Sequence, residues 1–372
     1  MGERDCGRAT KDRSRDVILP RGYIGVMHLL KSLCVLLLSV GWQYGHHCCA
    51  AAADDFEYYL TGNASDVRPS RTEGALMLSG GGGSVDDAFR WFLQKAGNHG
   101  SDRPDIVVLK VSDRSEPTGD TFGEYLHQKI GGCDSVEVIV FNNRNAASHP
   151  KVLEIIRNAE GIYLGGGKQF LYVDYWKGTP VQEAIHAHVR SGKPLGGSSA
   201  GLAVLGQFCY TAHVTARLTS SQAMQNPFDK SITLEKDFLH LDLMRGVLTD
   251  THFTQRGRLG RLITFVSRIQ ADSEPIDKHP IVGIGVDERT TLCVEANGHA
   301  HVLSGIPDGR AWFVIPEKNP EVIRAGDPLT IRDVKVVCAG PGSEVNFLKR
   351  TVSKAATEMT ISVITGDLST RP

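Results

Sequence analysis

What this chain does without narrows its possible roles. Lys and Arg number 41 against 42 Asp and Glu, a formal net charge of −1 in 372 residues. With no surplus of either sign, there is no general pull toward nucleic acid or an anionic membrane. Cysteine is scarce, eight in all, and none is spaced as a zinc site requires. The phosphate-cradling patterns G-x-G-x-x-G and G-K-[ST] are both absent, which argues against a nucleotide site. There are no internal repeats, and no linker long enough to mark a second domain. What remains, with 41% hydrophobic and 22% charged residues, is the composition of a globular protein with a full core.

The first fifty-odd residues stand apart from that core. Arg13, Arg15, Arg21 and Lys31 precede an apolar run, Leu33 to Val40, that is too short to cross a bilayer. After a polar patch come Ala50-Ala51-Ala52-Ala53 and then Asp54-Asp55. Basic region, short apolar region and small residues spell a secretory signal peptide and leader over 1–53, cut near Ala53, with Met1 or Met27 as the start. A secreted protein with no stable membrane association after cleavage is expected; an uncleaved anchor is the alternative. Cys6, Cys34, Cys48 and Cys49 would leave with this segment. Cys133, Cys209, Cys293 and Cys338 remain, an even number, so disulfides are allowed but not demanded. Asn63-Ala64-Ser65 is a glycosylation sequon in a eukaryotic context.

Residues 54–73 are polar and aperiodic and read as a flexible lead-in; 74–348 read as the folded domain and 349–372 as a polar tail. Within the domain, apolar runs alternate with amphipathic stretches. Strands are expected at Ala75–Leu78, Asp105–Val111, Val136–Phe141 and Gly161–Leu164, with helices at Val85–Ala96, Thr121–Ile130, His149–Ala159 and Val181–Ser191. This is the pattern of an α/β fold with a mostly parallel sheet covered by helices on both faces. Ser79-Gly80-Gly81-Gly82-Gly83-Ser84 then reads as close backbone packing. Right-handed crossovers put every strand-to-helix turn at one edge, so Gly165–Gln169 and the turn at Ser199 open into one crevice. Further on, Pro280–Val286 reads as a strand, Thr291–Glu295 and His299–Ser304 as a β-hairpin, and Val334–Cys338 as a last strand.

The chemistry gathers at Gly196-Gly197-Ser198-Ser199-Ala200-Gly201, a G-x-S-x-G pattern between a short strand at Lys193–Leu195 and an apolar helix from Leu202 to Phe208. A sharp strand-to-helix turn strains its central residue and tolerates only small neighbours; it exposes the hydroxyl and aims helix amides at what the hydroxyl attacks. A nucleophilic serine needs a base and a group that orients the base. His252 lies beside an acid and ahead of Arg256, Arg258 and Arg261, while Asp287 and Glu288 follow a strand; either acid could serve. His279, His299 and His301 lie near turns or in the hairpin, where solvated surface roles are commoner.

Four of these stretches together resemble the cyanophycinases: Leu164-Gly165-Gly166-Gly167-Lys168-Gln169, Gly196–Gly201, Asp250-Thr251-His252-Phe253-x-x-Arg256-x-Arg258-x-x-Arg261-Leu262, and Gly283-Ile284-Gly285-Val286-Asp287-Glu288. These are serine peptidases related to aspartyl dipeptidase, on a sheet like that of class I glutamine amidotransferases. The resemblance covers about residues 74 to 348, and the His-Arg-Arg-Arg block is its specific part. It implies Ser199 as nucleophile, His252 as general base and Glu288 as orienting acid. The amides of Ala200 and of Gly166 or Gly167 would form the oxyanion hole. Gln169, Asp250, Thr251, Arg256, Arg258 and Arg261 would shape the substrate site, with one arginine on substrate and the others pairing with acids such as Asp250 or Asp287. Thr251 and Lys168 depart from the family's usual residues, which bears on substrate more than on chemistry. The implied substrate is cyanophycin, cut to β-aspartyl-arginine, or another aspartyl or isoaspartyl peptide. No metal or organic cofactor is required, and a homodimer is compatible with the chain. Two rivals are an α/β-hydrolase-type esterase with another base, and a non-catalytic binding protein on the same fold. The order Ser, His, acid speaks against the esterase, whose acid precedes its histidine.

Overall fold

Short runs of Val, Ile and Leu that end in glycine or serine build the centre of the molecule, seen here in a computed structural model that describes residues 54–115, 121–272 and 280–371. The first six strands are Phe56–Gly62 (β1), Ala75–Ser79 (β2), Asp105–Val111 (β3), Ser135–Phe141 (β4), Gly161–Leu164 (β5) and Leu195–Ser198 (β6). Five of them lie parallel in the order β4-β3-β5-β6-β2. Helices Asp86–Ala96, Pro150–Asn158, Gln169–Trp176 and Pro180–Arg190 carry the chain between these parallel strands. The alternation along β3 shows how both faces are used. Ile106 and Val108 pack with Phe89 and Phe92 of the first helix, while Val107 and Leu109 pack with Val152, Ile156 and Ile185 on the other face.

From residue 206 onward the chain builds outward from this core. Phe208–Tyr210 (β7), Leu234–Lys236 (β8), Val247–Asp250 (β9) and Val282–Val286 (β10) belong to a second sheet of eight strands. Thr290–Glu295 (β11) and His299–Ser304 (β12) turn at Asn297-Gly298 and extend the first sheet from β2. Ala311–Pro316 (β13) and Ile331–Ala339 (β14) return to the second sheet. Glu344–Asn346 (β15) and Thr351–Ser353 (β16) then finish the first sheet, and Thr357–Ile364 (β17) and Asp367–Arg371 (β18) the second.

Several expectations are corrected by this arrangement. The sheets are mixed rather than mostly parallel. β1 runs antiparallel to β4, and every pairing made by β11 to β18 is antiparallel; where consecutive strands pair, as in β11–β12, β15–β16 and β17–β18, a short turn reverses the chain. The lead-in contains β1, whose seven residues pair one for one with β4. As an edge strand it needs one hydrogen-bonded neighbour and little burial, so periodicity hides it. The polar tail is likewise part of the fold. In β17, Met359, Ile361 and Val363 alternate with polar residues and face the second core, a half-buried pattern that average polarity masks. The helix expected from Leu202 to Phe208 is only Ala200–Ala203. Gly206 passes so close to the carbonyls of Phe208 and Val247 that a Cβ would lie 2.6 and 2.7 Å from them, and the chain turns there into β7.

The leader 1–53 and His279 lie outside the described residues. Cys133, Cys209, Cys293 and Cys338 are buried free thiols. Among the described residues, no helix is long and apolar enough to cross a membrane.

Candidate active site

Ser199 sits where β6 ends, with φ 53° and ψ −116°, directly before the helix Ala200–Ala203. Its two flanking glycines are dictated by space. A Cβ on Gly197 would lie 2.7 Å from the Gly201 carbonyl, and one on Gly201 would lie 2.2 Å from the Leu164 oxygen. The turn therefore closes only with bare α-carbons on both sides, and the left-handed φ it imposes falls on the serine. The amide of Ser199 donates to the Ser79 carbonyl at 3.2 Å, which ties the turn to β2.

His252 follows β9 and also has a left-handed φ, 46°. Its amide donates to the Gly80 carbonyl at 2.9 Å, and the amide of Phe253 donates to Val286 at 3.2 Å. Held this way, its Nε2 is 2.8 Å from Ser199 Oγ and its Nδ1 is 2.6 Å from Glu288 Oε1. The imidazole pKa is lowered. Burial is the main cause, the hydrogen bond to Glu288 opposes it, and the charges of Arg256 and Arg258 add to the lowering. The ring is therefore neutral at neutral pH, with one nitrogen facing a hydroxyl and the other a carboxylate. Such a set can take the proton of a serine as it attacks a carbonyl.

Two adjacent acids follow β10, and the structure separates their partners. Glu288 meets His252, and its own amide donates to Gln255 Oε1 at 2.9 Å. Asp287 is buried and accepts from the Thr254 amide and hydroxyl at 3.0 and 2.8 Å, from the Arg310 amide at 3.1 Å and from Trp312 Nε1 at 3.4 Å. It thus joins the loop after His252 to the start of β13. The Gly80–Gly83 stretch packs over the same groups: a Cβ on Gly82 would lie 2.6 Å from Glu288.

The arginines divide. Arg261 forks onto Asp250, Nε to Oδ2 at 2.7 Å and Nη2 to Oδ1 at 2.6 Å, and lies over the Tyr210 ring. Arg258 Nη1 reaches Asp250 Oδ1 at 3.1 Å and the Thr251 carbonyl and hydroxyl at 2.7 and 3.2 Å. All four residues are buried. Burial would raise the Asp250 pKa, but the two guanidiniums outweigh it and hold the carboxyl below its usual range. Burial is the main cause that takes Arg258 down to about 10; Asp250 opposes it, and the charges of Arg261 and Arg256 add to the lowering. Asp250, Thr251, Arg258 and Arg261 therefore form an internal network, where the sequence suggests a substrate-lining set. A bidentate pair satisfies a buried carboxylate better than substrate could, since substrate comes and goes. Arg256 differs: it is exposed and joins no ion pair among the described residues. Gln169 donates through Nε2 to the Tyr210 carbonyl, and Lys168 pairs with Asp113 and with Ser115 Oγ.

Of the amides expected to face an oxyanion, that of Ala200 opens the helix after Ser199. Gly166 is close as well, since a Cβ there would lie 3.6 Å from Ser199 Cβ, whereas one on Gly167 would meet only the Val111 carbonyl, at 3.5 Å. Two of the competing histidines are elsewhere: His301 packs edge-on against Trp91, with ring centroids 5.9 Å apart, and His299 is exposed at the start of β12. Among the described residues no group of His, Cys, Asp and Glu is arranged to hold a metal ion. Sequence reading missed the clamp formed by Asp287, Gln255 and Thr254. The adjacent acids Asp287-Glu288 were its one visible signal, and nothing local says which of two neighbours turns inward.

The model of peptidase family S51 matches residues 116–303, half of the chain. A cyanophycinase from Trichormus variabilis is 27% identical over 295 residues, which cover 77% of this chain and 90% of the relative. A cyanophycinase from Synechococcus elongatus is 28% identical over 264 residues, covering 69% and 73%. A peptidase of known crystal structure from an acI-B1 Actinobacterium superposes with a TM-score of 0.48 at 18% identity, over 75% of this chain and 98% of its own. The chain belongs to peptidase family S51 and is a serine-type peptidase of the cyanophycinase type.

Proposed function

We propose that this peptidase hydrolyses cyanophycin or related aspartyl and isoaspartyl peptides through Ser199, His252 and Glu288. The observation that carries the reading is the pair of hydrogen bonds, 2.8 Å from Ser199 to His252 and 2.6 Å from His252 to Glu288, set on a strained turn at a sheet edge. Ser199 Oγ attacks the amide carbon while His252 Nε2 takes its proton. Glu288 keeps Nδ1 protonated and stabilises the imidazolium. The amides of Ala200 and Gly166 receive the oxyanion, each worth about 3 kcal/mol. His252 then protonates the leaving amine, and the same residue activates the water that releases the acyl group.

Arg258 and Arg261 are taken up by Asp250, whereas Arg256 is exposed and its charge acts on His252. An exposed guanidinium near the base favours a carboxylate-bearing peptide as the substrate class. The five-stranded parallel core with its serine at a strand-to-helix turn further favours kinship with the class I glutamine-amidotransferase architecture. Export follows from the leader: the mature enzyme begins near Asp54, and N-terminal sequencing of protein from its native host tests this.

The activity itself is tested by incubating the mature enzyme with cyanophycin and with α- and isoaspartyl dipeptides and identifying products by mass. Release of β-aspartyl-arginine, or cleavage confined to aspartyl peptides, supports the reading. Cleavage of short acyl esters with aspartyl peptides left intact would overturn it.

A further inference from the structure

Ser199 lies between two unlike surroundings. On one side are the second sheet and the arginine-bearing loop. On the other, along the face of the first sheet covered by helix Asp86–Ala96, a recess of about 180 Å³ opens. Gly166, where a Cβ would lie 3.6 Å from Ser199 Cβ, and Ser198, the residue before the nucleophile, are part of its wall, so the recess borders the nucleophile's turn. The remaining wall is mainly Phe89, Phe122, Tyr163 and Val85. These rings hold one another in place. Phe122 lies nearly parallel to Tyr163, with centroids 5.6 Å apart, and Phe89 stands edge-on to both at 5.6 and 5.1 Å.

We propose that this recess is the side-chain specificity pocket of the peptidase and takes a neutral apolar side chain, an aromatic one above all. The assignment rests on reading Ser199 as the nucleophile. An apolar cavity of about 150 Å³ suffices to take benzene, so the volume suits a phenyl ring. Faces and edges of several fixed rings offer a fourth ring the tilted contacts aromatic pairs prefer. A charged side chain fits poorly. Among the described residues that line the recess none is acidic, so a guanidinium would lose water there without gaining a carboxylate from that wall. A carboxylate would lose water against three aromatic rings. The preferred substrate is therefore a peptide that pairs an aspartyl or isoaspartyl residue, met by Arg256, with an aromatic residue across or beside the scissile bond. The arginine-bearing unit of cyanophycin does not match it.

The test is kcat/KM over dipeptides in both orders, one residue kept as aspartyl or isoaspartyl and the other varied over Phe, Leu, Ala and Arg. Phe should exceed Ala by roughly tenfold or more at one position, with Arg no better than Ala, the range a hydrophobic pocket achieves. Phe122→Ala, which opens the wall, and Ser84→Trp, which blocks the recess, should each collapse the Phe/Ala ratio. Taken within one variant, that ratio cancels any general loss of folding or activity. A flat preference, a preference for Arg, or a ratio untouched by both substitutions overturns the pocket while leaving a peptidase. If no peptide is cleaved and a serine-directed phosphonate fails to label Ser199, the underlying reading of the site fails instead.

Discussion

Gly81 and His252 are in direct contact: a Cβ built on Gly81 would lie 2.6 Å from the Cε1 and 2.8 Å from the Nε2 of the imidazole. The φ of Gly81 is 92°, a conformation open to glycine and strained for any L side chain. The Gly-rich stretch after β2 is thus the back wall of the site, and it sets how far the ring can swing from Ser199.

Gly81→Ala is expected to push the imidazole off Ser199. Misplacement by about 1 Å costs roughly 10²-fold in rate. A fall in kcat of that size, with a smaller change in KM, is the expected kinetic result. Gly83→Ala is the comparison, since a Cβ there would meet only the Arg289 side chain, at 3.3 Å. Equal losses in the two variants would show that backbone strain, and not contact with His252, is responsible.

The arginines should separate by substitution to lysine or alanine. Arg256→Lys is expected to lower kcat/KM for acidic peptides by about 1.5–3 kcal/mol, the worth of a hydrogen bond to a charged group, and to leave melting unchanged. Arg261→Ala leaves Asp250 without its bidentate partner and should destabilise the fold by about 3–5 kcal/mol. Kinetics on acidic and neutral peptides, with thermal melts of each variant, check both. A loss of selectivity in Arg261→Ala without a loss of stability would contradict this division.

Glu160 makes the fold sensitive to pH far from the site. It is buried, it accepts the Asp105 amide at 3.1 Å, and Lys193 stands 3.5 Å away. Burial outweighs both contacts and raises its pKa from 4.5 to about 7. Between these values the folded chain keeps a proton that the unfolded chain has lost. The stability this adds is fully present below pH 4.5 and disappears as pH rises through about 7. Asp105, also raised chiefly by burial, acts in the same direction. Unfolding free energy should therefore fall with rising pH across this window, and Glu160→Gln should flatten the slope. An unchanged slope in that variant would exclude Glu160 as its source.

Much of the architecture is legible in the sequence where one local constraint acts alone. The run Asp105–Val111 is apolar because both its faces are covered, and its bounds as a strand follow directly. The turn at Ser199 is legible for a similar reason, since glycines two before and two after leave few other ways to place the chain. The edge strand Phe56–Gly62 and the next-to-last strand of the second sheet, Thr357–Ile364, are not, because their pairing is a backbone matter and their side chains are half exposed. The arginines show the same limit. Spacing says Arg258 and Arg261 share a helical face, but only the position of Asp250 at the end of β9 decides that this face turns inward. The histidine–glutamate contact spans 36 residues and joins the ends of two strands, and no local pattern chooses between Asp287 and Glu288.

We assign Ser199 as the nucleophile, and hydrolysis of isoaspartyl dipeptides by Ser199→Ala tests that role. The hydroxyl is half-buried at an open turn, and its side-chain partner is His252. Its removal should leave the melting temperature close to that of the parent and lower kcat by roughly 10⁴-fold or more. Ser198→Ala, one residue back on β6, should be far milder. Activity retained in Ser199→Ala, with the fold intact, would contradict the account.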